Sequence, residues 1–343
     1  ISTPHTIVIS PSHIFNSLIT IFLSSVLVGV DCFSPPWLMS SPSLVVGSSR
    51  VASHAGSWYS KDVGSLSSNF SHWLNSAGSL AINPKEHRVR AIISPHAGYS
   101  YSGPTAAYGF KHMIPEDIKR IFILGPSHHH YTKICELSRH ALYSTPIGPL
   151  KLDAEVIASL RATKEFHDMT TEVDEDEHSI EMQLPFMAYM MKDAKQPFTI
   201  VPILVGALST SGEKKFGDLL SPYFADPDNF FIISSDFCHW GARFRYQYME
   251  SGKPPHEAIE HLDRMGMELI EKQDADGFVK YLNEYENTIC GRHPISVMLR
   301  MVNRLSSILH RIQFLHYAQS SRARSKEDSS VSYATAIVTT ERK

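Results

Sequence analysis

Three apolar runs of the sequence end in the same way, in a small residue or proline followed by a histidine or an aspartate. The run AIISPH ends at His96, IFILGPSH ends at His128, and FIISSDFCH reaches Asp236 and then His239. Such runs are typical of strands that are buried on both faces of a parallel sheet. In open α/β sheets the ligand lies beyond the carboxyl ends of the strands. The three endings therefore predict one functional crevice that receives all of these side chains.

The regions between these runs carry helical patterns, so strands and helices alternate along the chain. Buried strands are predicted at 90–97, 120–128, 198–206 and 229–240, and alternating strands at 311–319 and 330–340. Helices are predicted at 103–113, 154–163, 178–194, 211–224, 256–273, 275–286 and 294–309, with Asp153 and Ser211 as N-caps and a kink or restart at Pro185. The alternation predicts an α/β fold, a single domain with a mixed, mostly parallel central sheet flanked by helices.

The amino-terminal segment differs in character from the rest of the chain. Residues 14–30 are apolar and uncharged, as in a signal peptide or a short membrane span, but no lysine or arginine precedes them, and the first methionine is Met39. We interpret residues 1–38 as upstream translation or a non-native extension, with a real targeting segment as the alternative. The expected organisation is an N-terminal extension over 1–49, disordered or upstream of the true start, and a folded domain over 50–343.

Composition argues against several classes of function. A formal net charge of −3 gives no strong field towards nucleic acid or an anionic membrane, so neither is an expected partner, and the folded domain is expected to have no membrane span. The four cysteines form no CxxC pair, which argues against a zinc ribbon and favours a reducing compartment. The sequence has no GxGxxG after a strand, no GxxxxGK[ST] and no GxSxG, so nucleotide binding and serine hydrolysis lack support.

Two imidazoles that approach from neighbouring strands suggest a transition-metal site, because histidine is the commonest metal ligand. His96 and His128 are the candidates, and such a site needs a third ligand. The residues alone leave four possibilities for the third ligand, namely Asp236, His239, His178 and Cys290. A different chemistry is also open, in which Cys290 is a nucleophile beside His239 and Asp236.

The histidine triplet at 128–130 needs a choice between its members. In an extended segment alternate side chains point in opposite directions, so His128 and His130 would share one side and His129 the other. His128 is nearest to the carboxyl end of the strand, which favours it as the ligand. We expect His130 to be a loop residue and His129 to have an orienting or structural role.

Three further patterns contain charged residues or histidines. The acidic run at 174–177 is interpreted as the first turn of a helix that the helix dipole stabilises. His178 and Glu181 are three residues apart, so both could face the crevice. His54, beside a glycine and a tryptophan, is interpreted as part of a turn.

Two basic patterns lie near the proposed crevice. Arg292 and His293 follow Cys290 closely in the sequence and would favour its thiolate. Arg243 and Arg245 lie among aromatic residues and could bind a phosphate or a carboxylate. We prefer the interpretation that they cap the end of a strand through a cation–π pair.

Long motifs of the sequence together resemble the Memo family, the mediators of receptor-tyrosine-kinase-driven cell motility. The motifs are SHAGSWY, SPHAGYSYSG, RIFILGPSHH, DEDEHSIEMQLP, IVPILVGAL, SSDFCHWGARFRY, HLDRMGM, NTICGRHPI and the pair YAQSS and DSSVSYA. They occur in the order of that family from about residue 50 to about residue 338, whereas residues 1–38 have no counterpart. The resemblance implies a single α/β domain similar to the class III, LigB-like extradiol dioxygenases.

The resemblance also implies a metal centre. The dioxygenases hold a non-haem iron on two histidines and a carboxylate, and the corresponding pocket of Memo proteins uses two histidines and a cysteine. By motif the metal ligands would be His96, His128 and Cys290, and Asp236 and His239 would line the same pocket as the candidate catalytic residues, orienting the ligands or relaying protons. The implied cofactor is Fe(II) or Cu. The thiolate argues against ring cleavage, because a soft ligand favours copper(I) and alters iron.

The function implied by the resemblance is that of a metal-binding redox protein of the cytoplasm, acting in receptor tyrosine kinase signalling and cell motility, with an unassigned small-molecule substrate. Enzymatic activity as a metal-dependent oxidoreductase is one form of this expectation. The alternative is a non-enzymatic adaptor that binds phosphotyrosine peptides of receptor kinases or their adaptors in the same crevice.

Overall fold

The computed structural model describes residues 48–78, 82–83 and 85–342. The apolar segment at 14–30 and the interpretation of residues 1–38 lie outside these described residues. The described part begins next to the predicted start of the folded domain, with a short strand at Ser49–Arg50. Within the described ranges, no helix has both the length and the apolar character that crossing a bilayer requires.

Two sheets organise the described residues. Their strands are β1 (Ser49–Arg50), β2 (His87–Ser94), β3 (Arg120–Pro126), β4 (Cys135–Leu137), β5 (Leu142–Tyr143), β6 (Leu150–Lys151), β7 (Phe166–Asp168), β8 (Thr199–Val205), β9 (Asn229–Ser234), β10 (His239–Trp240), β11 (His310–Gln319) and β12 (Ser330–Glu341). The main sheet has the order β10-β12-β2-β9-β3-β8-β4-β7, with β11 paired to β12, and the small sheet has the order β1-β5-β6.

Helices pack against the main sheet. They are α1 (Val63–Ser76), α2 (Tyr99–Phe110), α3 (Ala154–Ala162), α4 (Thr171–Asp176), α5 (His178–Glu181), α6 (Leu184–Met191), α7 (Thr210–Ala225), α8 (Pro255–Glu271), α9 (Ala275–Tyr285) and α10 (Arg292–Arg304), with 3₁₀ turns at Pro115–Asp117 and Ala242–Phe244. The four central strands β2, β9, β3 and β8 are parallel to their neighbours in that group. β12 runs antiparallel to β2, and β4 runs antiparallel to β8. The predicted single α/β domain with a mixed central sheet flanked by helices is confirmed, and its parallel part is the centre of the sheet.

Several predicted helices differ from the structure at their ends. The helix predicted at 178–194 is two helices, α5 and α6, and Pro185 lies in the first turn of α6 as the predicted restart requires. The predicted cap at Ser211 is wrong, because the Ser209 side chain accepts the hydrogen bond from the Gly212 amide. The helix predicted from 103 begins earlier, at Tyr99, and includes Pro104 in its second turn.

The register of the central strands brings the carboxyl ends of β2, β9 and β3 to the same level of the sheet. Ser94 at the end of β2 lies opposite Ser234 at the end of β9. On the other side of β9, Leu124 of β3 lies opposite Ile233. The segments that leave β2, β3 and β9 therefore emerge side by side at one edge of the sheet.

Candidate metal centre

Two histidines and a cysteine meet where these three strands end. The Nε2 atom of His96 lies 3.1 Å from the Sγ atom of Cys290. The rings of His96 and His128 are 5.1 Å apart between centroids, in an edge-to-face arrangement. One potential ligand atom from each of the three residues lies within 4.8 Å of the others. The structure thus brings together the three residues that the resemblance implies as ligands.

His96 is held in one tautomer by Ser234. The Ser234 hydroxyl donates its hydrogen to the backbone oxygen of Ser179 at 2.7 Å. The 2.8 Å contact between His96 Nδ1 and Ser234 Oγ must therefore use the hydrogen of the imidazole. This leaves the lone pair of His96 on Nε2, the atom that faces Cys290. Burial, and then the neighbouring His128, lower the pKa of His96 well below its usual value, so the ring is neutral.

His128 is oriented by a carboxylate. Its Nδ1 atom lies 2.9 Å from Glu177 Oε1, and its backbone amide donates to Glu177 Oε2 at 2.7 Å. A carboxylate only accepts, so Nδ1 carries the hydrogen and Nε2 is left for a ligand. A carboxylate on Nδ1 fixes the orientation of the ring and raises its basicity, and this is the arrangement that commonly supports a metal-binding histidine. Burial alone would lower the pKa of His128, but the thiolate of Cys290 and the carboxylate of Glu177 raise it to about 10.

Cys290 reaches the centre on a loop that packs against the end of β9. Its sulfur accepts a hydrogen bond from the Asp236 amide at 3.2 Å. Gly291 permits this approach, since a Cβ atom at that position would lie 2.3 Å from the Cβ of Ser235. Burial raises the pKa of the thiol, and His128 opposes that rise.

The predicted help from the basic neighbours of Cys290 is not present. His293 Nδ1 lies 2.8 Å from Glu213 Oε1, and Arg292 Nη1 donates to the backbone oxygen of Ile289 at 3.4 Å. Both side chains are occupied by partners other than the thiol, and His128 is the cation that favours the thiolate.

Asp236 and His239 lie beside the three ligand candidates without joining their group. Asp236 Oδ1 accepts a hydrogen bond from the backbone amide of His96 at 2.8 Å, which holds the segment after β2. Burial raises the pKa of Asp236, and His239 opposes the rise. His239 Nδ1 lies 2.9 Å from the backbone oxygen of Phe237 and 3.1 Å from that of Thr288, so this nitrogen carries a hydrogen and Nε2 is the basic atom of the neutral ring.

The other candidates for the third ligand take different positions. His178 forms a second group with His128 and Glu177, again with potential ligand atoms within 4.8 Å of one another. Its ring stacks on that of His128 at 4.3 Å and lies 4.4 Å from that of Trp58. Burial, and then the charge of His128, lower the pKa of His178 to about 3, so this ring also stays neutral.

The three histidines at 128–130 have different surroundings, as their distances from the end of β3 predict. His128 faces the centre, whereas His129 contacts only the edge of the His178 ring at 5.9 Å between centroids. His130 lies in a loop, where its Nε2 atom is 3.2 Å from Glu136 Oε1 and its side chain is 41% exposed.

The prediction that the acidic run at 174–177 forms the first turn of a helix is wrong, because residues 174–176 end α4 and only Glu177 lies at the start of α5. Asp174 is buried against Arg50, and Glu177 begins α5 as its N-cap while it holds His128. Arg50 also pairs with Glu181, at 2.7 Å between Nη1 and Oε2. The role of Arg50 was not predictable from local sequence patterns, because its partners lie more than 120 positions away in the chain.

His54 has a role that its predicted turn did not indicate. Its Nδ1 atom lies 3.0 Å from Glu181 Oε2, and its amide donates to Glu181 Oε1 at 2.9 Å. The Tyr59 hydroxyl donates to the same carboxylate at 2.7 Å. A buried carboxylate in a predicted amphipathic helix was the available sign that partners of this kind must exist.

Comparison with known proteins agrees with these motifs. The family model described as Memo-like protein matches residues 50–337. The protein MEMO1 of Danio rerio is 52% identical over 288 residues, which cover 83% of this chain and 95% of that protein. The protein MEMO1 of Rattus norvegicus is 50% identical over 293 residues, 84% of this chain and 97% of that protein.

A nematode protein and a bacterial structure also match this chain. The memo-1 homolog of Caenorhabditis elegans is 45% identical over 294 residues, 84% of this chain and 82% of that protein. A crystal structure of an uncharacterized protein from Escherichia coli K12 aligns with a TM-score of 0.45 and 13% identity, over 73% of this chain and 99% of that one. On the family model and the identities with MEMO1 proteins, this chain belongs to the Memo-like protein family.

Proposed function

We propose that this protein binds a redox-active transition metal, iron(II) or copper, through His96, His128 and Cys290, and works as a metal-dependent redox protein of the cytoplasm. The observation that carries the proposal is the convergence of three ligand atoms within 4.8 Å. Ser234 and Glu177 engage the Nδ1 atoms of the two imidazoles, so Nε2 is the atom that each ring offers to a ligand, and a metal would displace the Nε2 proton of His128. A metal site needs this combination of preset tautomers and a nearby thiol.

The donor set favours particular metals. Imidazole suits iron, copper and zinc, and a thiolate selects softer ions such as copper(I). A bound iron or copper ion would supply one-electron chemistry and open coordination positions for O₂ or a substrate. The thiolate stands where dioxygenases of similar fold have a carboxylate, so we propose a redox activity other than ring cleavage.

The chain's own residues would act on protons and on ligand geometry. Backbone oxygens hold the hydrogen on His239 Nδ1, and this ring lies near the buried Asp236, so we propose that His239 Nε2 and Asp236 accept and relay protons. Asp236 also positions His96 through the backbone, and Glu177 positions His128 through both its ring and its amide. Binding needs neutral imidazole and thiolate, so metal and protons compete for the same atoms.

The test is metal analysis of protein purified without a histidine tag. We expect iron or copper near one equivalent in the wild-type protein and none above background in His128→Ala and Cys290→Ser. His129→Ala is the matched control, because His129 belongs to neither group of possible metal ligands, and it should keep the wild-type metal content. Full metal content in both ligand variants would overturn the proposal, and an O₂-consumption assay on the loaded protein then tests for turnover.

A second candidate function is that of an adaptor in receptor tyrosine kinase signalling and cell motility. Exposed Arg243 supports it, because its guanidinium lies 4.4 Å from the centroid of the Phe244 ring, which in turn contacts His239 at 5.2 Å. This cation beside the centre could attract the phosphate of a phosphotyrosine peptide. The phosphorylated peptide should bind more tightly than its unphosphorylated form, and Arg243→Gln should remove the difference. Equal binding of both peptides by the wild-type protein would exclude this candidate.

A further inference from the structure

A cavity lies at the opposite end of the central sheet from the metal centre. Its volume is ≈ 370 Å³, within the range of small-molecule sites. Three arginines and a glutamate share its wall with apolar side chains, and the residues that matter here are Arg88, Arg90, Phe224, Ile308, Glu341 and Arg342. Arg90 and His96 are six residues apart along and just beyond β2, so roughly 20 Å separates the cavity from the metal centre.

Arg90 is a buried cation without a counter-ion. The residue is 3% exposed. Its Nη2 atom donates to the backbone oxygen of Phe224 at 2.8 Å and to that of Asp226. Among the residues that the structure describes, its hydrogen bonds are those of Nη2, no carboxylate lies within ion-pairing distance, and the Phe224 ring lies 5.8 Å from Cζ. Burial, and then the charge of Arg88, lower the pKa of Arg90 to about 10. An isolated buried charge is unfavourable unless something compensates for it.

The acidic groups nearby are already engaged or distant. Asp117 lies 3.1 Å from Arg88 and also pairs with Arg342, so two of the three guanidinium groups share its charge. The Asp226 carboxylate accepts from the Asp228 amide at 3.0 Å and favours the charge of Arg90 only from a distance. Glu341 is the one carboxylate on the wall, and it is exposed at the end of β12. In the described part of the chain, Arg90 is therefore the guanidinium of this wall that has no directly paired carboxylate.

A backbone irregularity places Arg90 on the wall. Val89 lies opposite Thr339 and Ala91 lies opposite Val338, so β2 has one more residue than β12 between these pairs. Arg90 is that extra residue, and a β-bulge of this kind redirects a side chain and is enriched beside functional sites. The bulge and the unused donors are independent observations that indicate the same feature, a positive charge directed at a cavity.

We propose that this cavity binds a small organic anion, whose phosphate or carboxylate group compensates Arg90 and whose apolar part packs against Phe224 and Ile308. The cavity is large enough for more than a free oxyanion, and the Phe224 side chain offers it a ring at its wall. The ligand completes the hydrogen bonds of Arg90 and removes the cost of its unpaired charge. The site is separate from the metal centre, so the proposal stands whether or not the proposed redox function is correct.

The first test locates the ligand on the unaltered protein. Phenyl phosphate is titrated into deuterated, ¹⁵N-labelled wild-type protein, and backbone amide shifts are followed by transverse-relaxation-optimised NMR. We expect saturable shifts at Arg90, Phe224 and Ile308 and none at His96 or Cys290. Shifts confined to the metal centre, or no saturable shifts, would overturn the proposal.

Two further titrations identify the anionic group and its source. Benzoate replaces phenyl phosphate in one, and the tighter of the two organic ligands tells whether a carboxylate or a phosphate suits the cavity better. Inorganic phosphate is used in the other, and it should bind more weakly because it cannot contact Phe224 or Ile308. Inorganic phosphate that binds as tightly as phenyl phosphate would mark an adventitious ion only and overturn the assignment of an organic ligand.

The second test removes the charge. Arg90→Met should weaken binding of phenyl phosphate about tenfold or more, because a charge-assisted hydrogen bond is lost. Arg264→Met is the matched control, since Arg264 is a surface arginine that pairs with Glu260 on α8, and it should bind as the wild-type protein does. Wild-type affinity in Arg90→Met would refute the role of this guanidinium.

Discussion

Arg50, beside the metal centre, and Arg90, at the other end of the central sheet, are 0% and 3% exposed. Arg50 pairs with two carboxylates, at 3.1 Å from Asp174 and 2.7 Å from Glu181. Its Nη2 atom also donates to the backbone oxygen of Glu177, the residue that holds His128. Among the described residues, the guanidinium of Arg90 has two backbone oxygens as hydrogen-bond partners and the Phe224 ring at 5.8 Å, but no carboxylate that pairs with it. One buried arginine is thus fully compensated within the protein, and the other is not.

The difference separates two ways of preparing a binding site. Around the metal centre, charges and tautomers are set by protein partners, and the atoms left over are acceptors for a cation. At the other end of the sheet, the atoms without a protein partner are hydrogen-bond donors of the Arg90 guanidinium, and these suit an anion. A buried group whose partners are complete supports its neighbours, whereas one with unused hydrogen-bonding capacity indicates a ligand.

The largest expected effect is on stability at the compensated end. Arg50→Met leaves Asp174 and Glu181 buried without their cation, so the free energy of unfolding should fall by about 3–5 kcal/mol. Urea denaturation followed by circular dichroism measures the change. Arg264→Met removes an exposed pair and should change stability by less than about 1 kcal/mol. Equal changes in the two variants would show that the network around Arg50 is not a buried ion-pair network in solution.

Stability should also depend on acid pH through Glu181. Burial alone would raise the pKa of this carboxyl, but hydrogen bonds from His54 and the charge of Arg50 lower it from 4.5 to about 2. A lowered pKa means that this contribution, of order 3 kcal/mol, is present above about pH 4.5 and is lost as the pH falls towards 2. Urea midpoints measured between pH 6 and pH 2.5 should show the loss. In Glu181→Gln the dependence should be shallower, and an unchanged profile would contradict the assignment.

A smaller effect is expected on metal affinity. Glu177→Gln removes the anionic partner of His128 but no proposed metal ligand, so affinity should fall about 10–100-fold. Competition with a chromophoric chelator measures this. Asp176→Asn is the control, because Asp176 is an exposed acid next to Glu177 in the sequence, and its affinity should match that of the wild type. If Glu177→Gln also matches, the carboxylate does not orient His128.

The smallest effect should come from the uncompensated end. Arg90→Met gives up two hydrogen bonds to backbone oxygens but also removes an unpaired buried charge, so the free energy of unfolding should stay within about 1 kcal/mol of the wild-type value. The measurement is urea denaturation in a buffer without phosphate or carboxylates. If Arg90→Met lowered the free energy of unfolding as much as Arg50→Met does, the two arginines would not differ in how the protein compensates their charges.

The strand ends were predictable because apolar runs and their polar endings are local patterns. The role of Cys290 as the third ligand candidate was not predictable from the residues alone, because Asp236, His239 and His178 were equal alternatives. The resemblance to a family selected Cys290 among the four. The Ser209 cap was missed because two serines near the start of α7 both suit an N-cap, and only the path of the chain after β8 selects one. The roles of Arg50 and Arg90 depend on partners distant in the chain, or on their lack, which no local pattern reveals.

Gly291 has a consequence for how such chains are recognised. A side chain at this position would meet Ser235 at 2.3 Å, so any larger residue would push the loop, and Cys290 with it, away from β9. A chain could keep both histidines and the cysteine and still hold the sulfur too far from the imidazoles. A search for the two histidines and the cysteine alone would accept that chain as having the candidate site, although its three side chains no longer met. The diagnostic unit is therefore the Cys-Gly pair, in which the residue without a side chain carries as much information as the proposed ligand.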